Sequence, residues 1–240
     1  NANPNIFSES YISPKNGTRL TCGPDGKIQS KVTGNCLRHF GFTEDRDGVR
    51  KALLAHKAFA VYDAGGYSDL MTGEDAVKLW ESHNTDVGGS FNINPPIPRI
   101  LLAQVKRPDG AFVVDAISTD GGCIPRNVIL SQGLSLVKLD VLTLAEFAQK
   151  TSLNPARMLR LTAKGHLSVG ADADITIYDY ATQTPKMSFV EGRKVLFKGE
   201  VLGKNANIIC TERGQKAIEA RGLKAIVVDP GLPVDRVKAL

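Results

Sequence analysis

The sequence predicts an α/β protein, and three observations predict it. Apolar, strand-like runs recur at 58–62, 90–93 and 112–122, and segments with helical spacing separate them. Two of the three runs end in an acid followed closely by two glycines, at Asp63-Ala64-Gly65-Gly66 and at Asp120-Gly121-Gly122. Strands alternating with helices make βα units, and βα units in series make a parallel sheet.

Taken in order, residues 1–42 are rich in Asn, Gly, Pro and Ser, with Gly23-Pro24-Asp25-Gly26 between two short polar-apolar stretches. This reads as a hairpin or long loop with little core of its own. The rhythm begins at 43. A helix is expected from Glu44 or Asp45 to His56, then the strand 58–62, then a helix over 73–82 with Thr72 as its cap. The strand 90–93 stops at Asn94-Pro95-Pro96, and a helix over 98–106 leads through the Pro108-Asp109-Gly110 turn into the run 112–122. A helix over 125–132 follows. Thr143 and Glu146 then form a capping box, and Asn154-Pro155 opens a further short helix with Asn154 as cap.

From Gly165 the pattern changes to short antiparallel strands, with a strand at 175–178 and a hairpin turning at Glu191-Gly192-Arg193. The chain is therefore divided into an N-terminal loop and hairpin segment at 1–42, a (β/α) domain at 43–162, and a small β-rich domain at 163–240. The last of these ends in a helix over 212–221 and a strand over 225–228.

Composition narrows the function classes. The net charge of +5 is modest for 240 residues and its cations are scattered, so no nucleic-acid footprint is indicated. No apolar run approaches the length of a membrane span, and the N-terminus is polar, so neither a membrane segment nor a signal peptide is expected. The four cysteines show no Cys-x-x-Cys spacing and no scaffold density, so the expected location is the cytoplasm.

Asp120 is the leading candidate for chemistry. At the carboxyl end of a buried strand, beside glycines that let a ligand approach the backbone, a carboxylate can bind a metal or shuttle a proton. It can equally cap a following helix that starts near Pro125, and the spacing leaves both readings open. Asp63 parallels it at another strand end. His39, in Leu37-Arg38-His39-Phe40, precedes the βα run and is a further candidate ligand, while His56, His83, His166, Asp172 and Asp174 read as structural or solvated.

The run Gly165-His-Leu-Ser-Val-Gly-Ala-Asp-Ala-Asp-Ile-Thr-Ile-Tyr-Asp179 resembles the segment in which amidohydrolase-superfamily enzymes pass from their barrel to a small β-sandwich. Thr151-Ser-Leu-Asn-Pro-Ala-Arg157 before it and Val190-Glu-Gly-Arg-Lys-Val-Leu-Phe-Lys-Gly199 after it stand where that family has them. Asn94-Pro95-Pro96 ahead of Ser118-Thr119-Asp120 is most similar to the cyclic-amide branch, which includes dihydroorotases and hydantoinases. The resemblance covers roughly 90 to 200.

The resemblance implies the carboxyl-terminal part of a (β/α)8 TIM-like barrel plus a small β-sandwich segment. It implies a hydrolase of non-peptide C–N bonds that uses one or two divalent metal ions, zinc by expectation, and acts on a small amide. Asp120 takes the metal-binding and proton-shuttling position, and Asn94, Gly121 and Gly122 the substrate-binding positions. The alternatives are an N-acyl amino acid deacylase, a deaminase and a non-catalytic assembly subunit. The sequence departs from the family in having no His-x-His, and about three βα units where a closed barrel needs eight. The expected partner is therefore a complementary N-terminal chain or a second copy of this one.

Overall fold

The computed structural model describes residues 6–119, 124–203 and 207–229. In chain order the elements are β1 (Glu9–Tyr11), β2 (Thr18–Arg19), α1 (Lys31–His39), α2 (Arg46–Leu54), β3 (Ala58–Asp63), β4 (Ser68–Met71), α3 (Glu74–Ser82), β5 (Gly88–Phe91), α4 (Pro96–Gln104) and β6 (Ala116–Ser118). They continue with α5 (Ile129–Lys138), α6 (Leu144–Ala148), a π-helical turn (Gln149–Leu153), α7 (Asn154–Met158), β7 (Ile175–Asp179), β8 (Thr184–Val190), β9 (Arg193–Phe197), β10 (Glu200–Val201), β11 (Asn207–Cys210), α8 (Glu212–Glu219) and β12 (Lys224–Val227). The chain divides into two compact units, one made of residues 11–100 with 118–128, the other of 1–10, 101–117 and 129–240.

The unit built on 11–100 carries the larger core. Its sheet has the order β2-β5-β3-β4, and every pairing in it is antiparallel. The expected parallel sheet is corrected here. Asp63-Ala64-Gly65-Gly66 does not lead from a strand into a helix; it turns a hairpin. The Asp63 carboxylate accepts from the backbone N–H groups of Gly65 and Gly66, both at 2.9 Å, and both glycines have positive φ, 87° and 99°. An acid followed by glycines suits a tight hairpin as well as it suits a strand end. Because β4 and β5 both run against β3, the helix α3 connects two strands of like direction that flank it.

Helices α1, α2 and α3 supply the other side of this core. Leu37, Val49, Leu53 and Trp80 are fully buried with Leu20 and Phe91. The Trp80 indole N–H donates to the Leu20 carbonyl at 2.9 Å, so this buried polar handle is satisfied. Residues 1–42 are more than a loop: the turn at Gly23–Gly26 closes as expected, but α1 follows it, capped by Ser30 and burying Cys36 and Leu37. Thr33, Gly34 and Asn35 interrupt its apolar pattern, which hides the helix in the sequence. Asp45 caps α2 by accepting from Gly48 N at 2.9 Å. Thr72 is not the cap of α3; Gly73 holds that position, and the Thr72 hydroxyl serves the Leu53 and Ala58 carbonyls.

In the other unit α5 and α6 pack Leu134, Leu136 and Phe147 inward, and the Thr143/Glu146 capping box is present with both hydrogen bonds. The helix expected at 125–132 is displaced to Ile129–Lys138. Of the strand expected in the run from Phe112 toward Asp120, residues 116–118 form β6, which pairs with β1, and residues 120–122 lie outside the described residues. A four-stranded antiparallel sheet, β10-β9-β8-β7, holds the hairpin that turns at Glu191-Gly192. Antiparallel pairing does not extend to the end: β11 and β12 are parallel, joined by α8 as a small βαβ unit. The sheets have two or four strands, and no closed barrel is formed among the described residues. No helix of the described residues is long and apolar enough to cross a membrane.

The tight entry into α2 can be tested by substitution. A Cβ on Gly48 would overlap the Thr43 carbonyl oxygen, a backbone atom that cannot rotate away. Gly48→Ala should therefore lower unfolding stability by about 3 kcal/mol, read as a shift in the urea midpoint.

Candidate functional site

The segment that leads to Asp120 is held by side chains from other elements. Ser8 N donates to Asp115 Oδ2 at 2.9 Å and the Ser8 hydroxyl is 3.3 Å from the same oxygen. From the opposite direction in sequence, Lys150 Nζ donates to the Val114 carbonyl at 2.6 Å, and Asn154 Nδ2 donates to the Asp115 carbonyl at 2.7 Å. Two consecutive peptide carbonyls are thus clamped by two side chains four residues apart on one helical face.

Lys150 is the residue that sequence reasoning missed. It is fully buried, and its ammonium lies 4.0 Å from the centroid of the Phe112 ring. Burial pushes its pKa down to about 8, against the opposing pull of the Asp115 and Glu146 carboxylates. It sits in the π-helical turn between α6 and α7, the kind of local irregularity that re-aims side chains. The signal for its burial was positional. Phe147, Lys150 and Asn154 follow helical spacing, and Phe147 is a core residue. Asn154 is not the N-cap expected of it, because the helix runs on from the π turn and its side chain is spent on Asp115.

Among the sequence candidates, Asp120, Gly121 and Gly122 lie outside the described residues. Asn94 is half-buried and its amide nitrogen donates to the Ser13 and Lys15 carbonyls, both at 3.1 Å. Arg126, 5% exposed, donates to the same Lys15 carbonyl at 2.9 Å. Both therefore hold the loop before β2. Asp63 is exposed and occupied with its own hairpin turn. His39 is exposed in the last turn of α1, edge-on to Phe40. No group of three or more His, Cys, Asp or Glu side chains suited to a metal ion is brought together among the described residues. The described residues by themselves do not fit the divalent metal that the resemblance implies.

Residues 134–202 match the model of the amidohydrolase family. Over 121 residues the chain is 30% identical to an Fhc protein of the formyltransferase/hydrolase complex of Methylorubrum extorquens, a match that takes in 48% of this chain. It spans only 20% of that relative's length. Two solved structures are similar in part. One is the Methylorubrum extorquens FhcABCD complex with methylofuran, at 18% identity and a TM-score of 0.37, covering 57% of this chain and 34% of that one. The other is a D-aminoacylase studied for its binuclear metal centre, at 15% identity and a TM-score of 0.46, covering 82% of this chain and 40% of that one.

The buried lysine makes stability depend on pH. The unfolded chain keeps the Lys150 proton up to its ordinary value of 10.5, while the folded chain releases it near 8. Between those values the unfolded state binds more protons, so this group makes stability rise with pH. Urea unfolding at a series of pH values should show the wild type gaining roughly 1–2 kcal/mol relative to Lys150→Met across that window, after allowance for solvent screening.

Proposed function

We propose that this chain forms part of a hydrolase of non-peptide C–N bonds, with a small amide, cyclic in form, as substrate. The observation that carries the reading is the match of residues 134–202 to the amidohydrolase family, in the stretch that follows the Asp120 run. Identity to a protein named for a formyltransferase/hydrolase complex supports it. In this reading Asp120 is the working carboxylate. An amide nitrogen leaves poorly unless it is protonated, and a carboxylate within hydrogen-bond reach delivers that proton. Gly121 and Gly122 give the substrate access to the backbone. Asn94, with its amide nitrogen spent on the Ser13 and Lys15 carbonyls, shapes the adjoining loop.

The metal set follows from what the described residues lack. Asp120 is assigned as one ligand of a divalent ion, zinc by class, and the ligands still needed are assigned to a complementary polypeptide. Because the chain spans a fifth of its relative, an assembly with further chain is part of the proposal. The lack of a ligand group among the described residues favours a second reading, a non-catalytic assembly subunit.

Native mass spectrometry of the protein from its own source, with metal analysis, separates the two. The hydrolase reading expects a second polypeptide and one or two metal ions, and an Asp120→Asn variant that keeps its thermal unfolding temperature while losing turnover by several orders of magnitude. A metal-free assembly indifferent to Asp120→Asn would leave the assembly reading.

A further inference from the structure

A groove of about 760 Å3 lies in the β-rich part of the chain and takes no part in the proposed hydrolase chemistry. Its floor is one face of the sheet β10-β9-β8-β7. Ser188 stands opposite Leu196 and Leu196 opposite Val201, so these three lie side by side across three strands. A bulge in β9 leaves Val195 without a partner in β8, and Val195 joins Leu196 in the lining. Val190 stands opposite Arg193 at the end where the hairpin turns. After β10 the chain crosses back over β9: Leu202 N and Gly203 N both donate to the Val195 carbonyl, at 2.8 and 3.1 Å, and a Cβ on Gly203 would come within 3.1 Å of the Val195 Cβ.

Two properties of the groove point to its occupant. Val190, Val201 and Leu202 are 40%, 73% and 42% exposed, three large apolar side chains left in water along one concave surface. The charge around them is uneven. Glu191, the acid of the lining, is bonded to Lys224, and that bond holds its carboxyl below the ordinary range. Lys194 reaches over Phe197, which alternates with Leu196 to the other face of the sheet, and its ammonium lies 4.6 Å from that ring's centroid. Arg193 is exposed, acts least on Glu191 of the cations around that acid, and makes no ion pair among the described residues. An apolar floor with one uncommitted guanidinium at its end has an amphipathic anion as its complement.

We propose that the groove binds a medium-chain monocarboxylate, its carboxylate on the Arg193 guanidinium and its hydrocarbon chain across Leu196, Val201 and Leu202. From Arg193 to Leu196 the strand advances about 10 Å, which sets the length of chain that the floor can cover. The planar fork of a guanidinium meets a carboxylate with two parallel hydrogen bonds. An ammonium head is the poorer fit, because the acid in the lining already has its cation. The volume falls within the range of ordinary small-molecule sites, about 300–1,000 Å3. The inference stands independently of the hydrolase reading.

The test is isothermal titration calorimetry of the intact chain with octanoate, butyrate and octylamine, each below its micellar concentration and at constant ionic strength. Expected is saturable binding of octanoate, about tenfold or more tighter than butyrate and than octylamine. Arg193→Gln should weaken octanoate by about tenfold and remove its advantage over octylamine. Val201→Asp, at a position 73% exposed on an edge strand, should abolish saturation with an unchanged circular dichroism spectrum. Octylamine binding the unaltered chain as tightly as octanoate would make the groove a charge-blind apolar surface, suited to a protein partner, and would overturn the proposal. Heats that do not saturate, or octanoate binding indifferent to either substitution, would overturn it as well.

Discussion

The contact on which the segment before Asp120 depends is a buried ammonium on a backbone carbonyl. Residues 112–115 are not a ladder-bonded strand, so their peptide groups need other partners. Lys150 and Asn154 provide two of them, and Ser8 ties the Asp115 side chain on the other hand. Placing a lysine here is costly, and the same desolvation lowers its pKa. The cost is offset by a short charge-assisted hydrogen bond and by the face of Phe112. A methionine would fill the space but leave the Val114 carbonyl without its donor.

The sequence disclosed best what short-range chemistry decides. Asp45 accepts from Gly48, three residues on, and the Thr143/Glu146 box closes over the same interval, so both helix starts were legible. The hairpin at Glu191-Gly192 was legible because its turn residues suit positive φ, 49° and 74°. Sheet direction was not, since Asp63-Ala-Gly-Gly serves a hairpin and a strand-to-helix step equally well. Asn154 was misread, and Lys150 passed over, for a different reason. Their partners lie 36 and 39 residues away, and a lysine and an asparagine near a helix start have strong local readings as a solvated cation and a cap. Tertiary contacts overrode both. Asn94 was singled out by its motif, but its hydrogen bonds to the Ser13 and Lys15 carbonyls could not be read from the motif.

The same long-range logic explains the dense acids near 172. Lys164 Nζ lies 2.7 Å from Asp172 and 2.5 Å from Asp174, and Asp174 also accepts from Glu191 N at 2.7 Å. Gly192 N donates to the Ala173 carbonyl at 3.1 Å. The acids thus pin the β8–β9 turn to the entry of β7, and the ion pairs are only partly exposed, which keeps them from being screened away. His166 belongs to the same local framework through its contact with the Thr162 carbonyl.

The family match takes its meaning from these contacts. The matched residues, 134–202, include the capping box, the Lys150 and Asn154 clamps and the Lys164 ion pairs. The polar side chains named there are engaged in holding backbone: helix starts, strand approaches and a hairpin turn. The matched stretch thus contains framework contacts, and frameworks host many chemistries. The chemistry of the proposed hydrolase therefore rests on a residue outside the matched stretch, Asp120, and the framework's part is to fix the chain that precedes it. That division of labour is physically sound, because a carboxylate that moves a proton must be positioned by groups that do not themselves react.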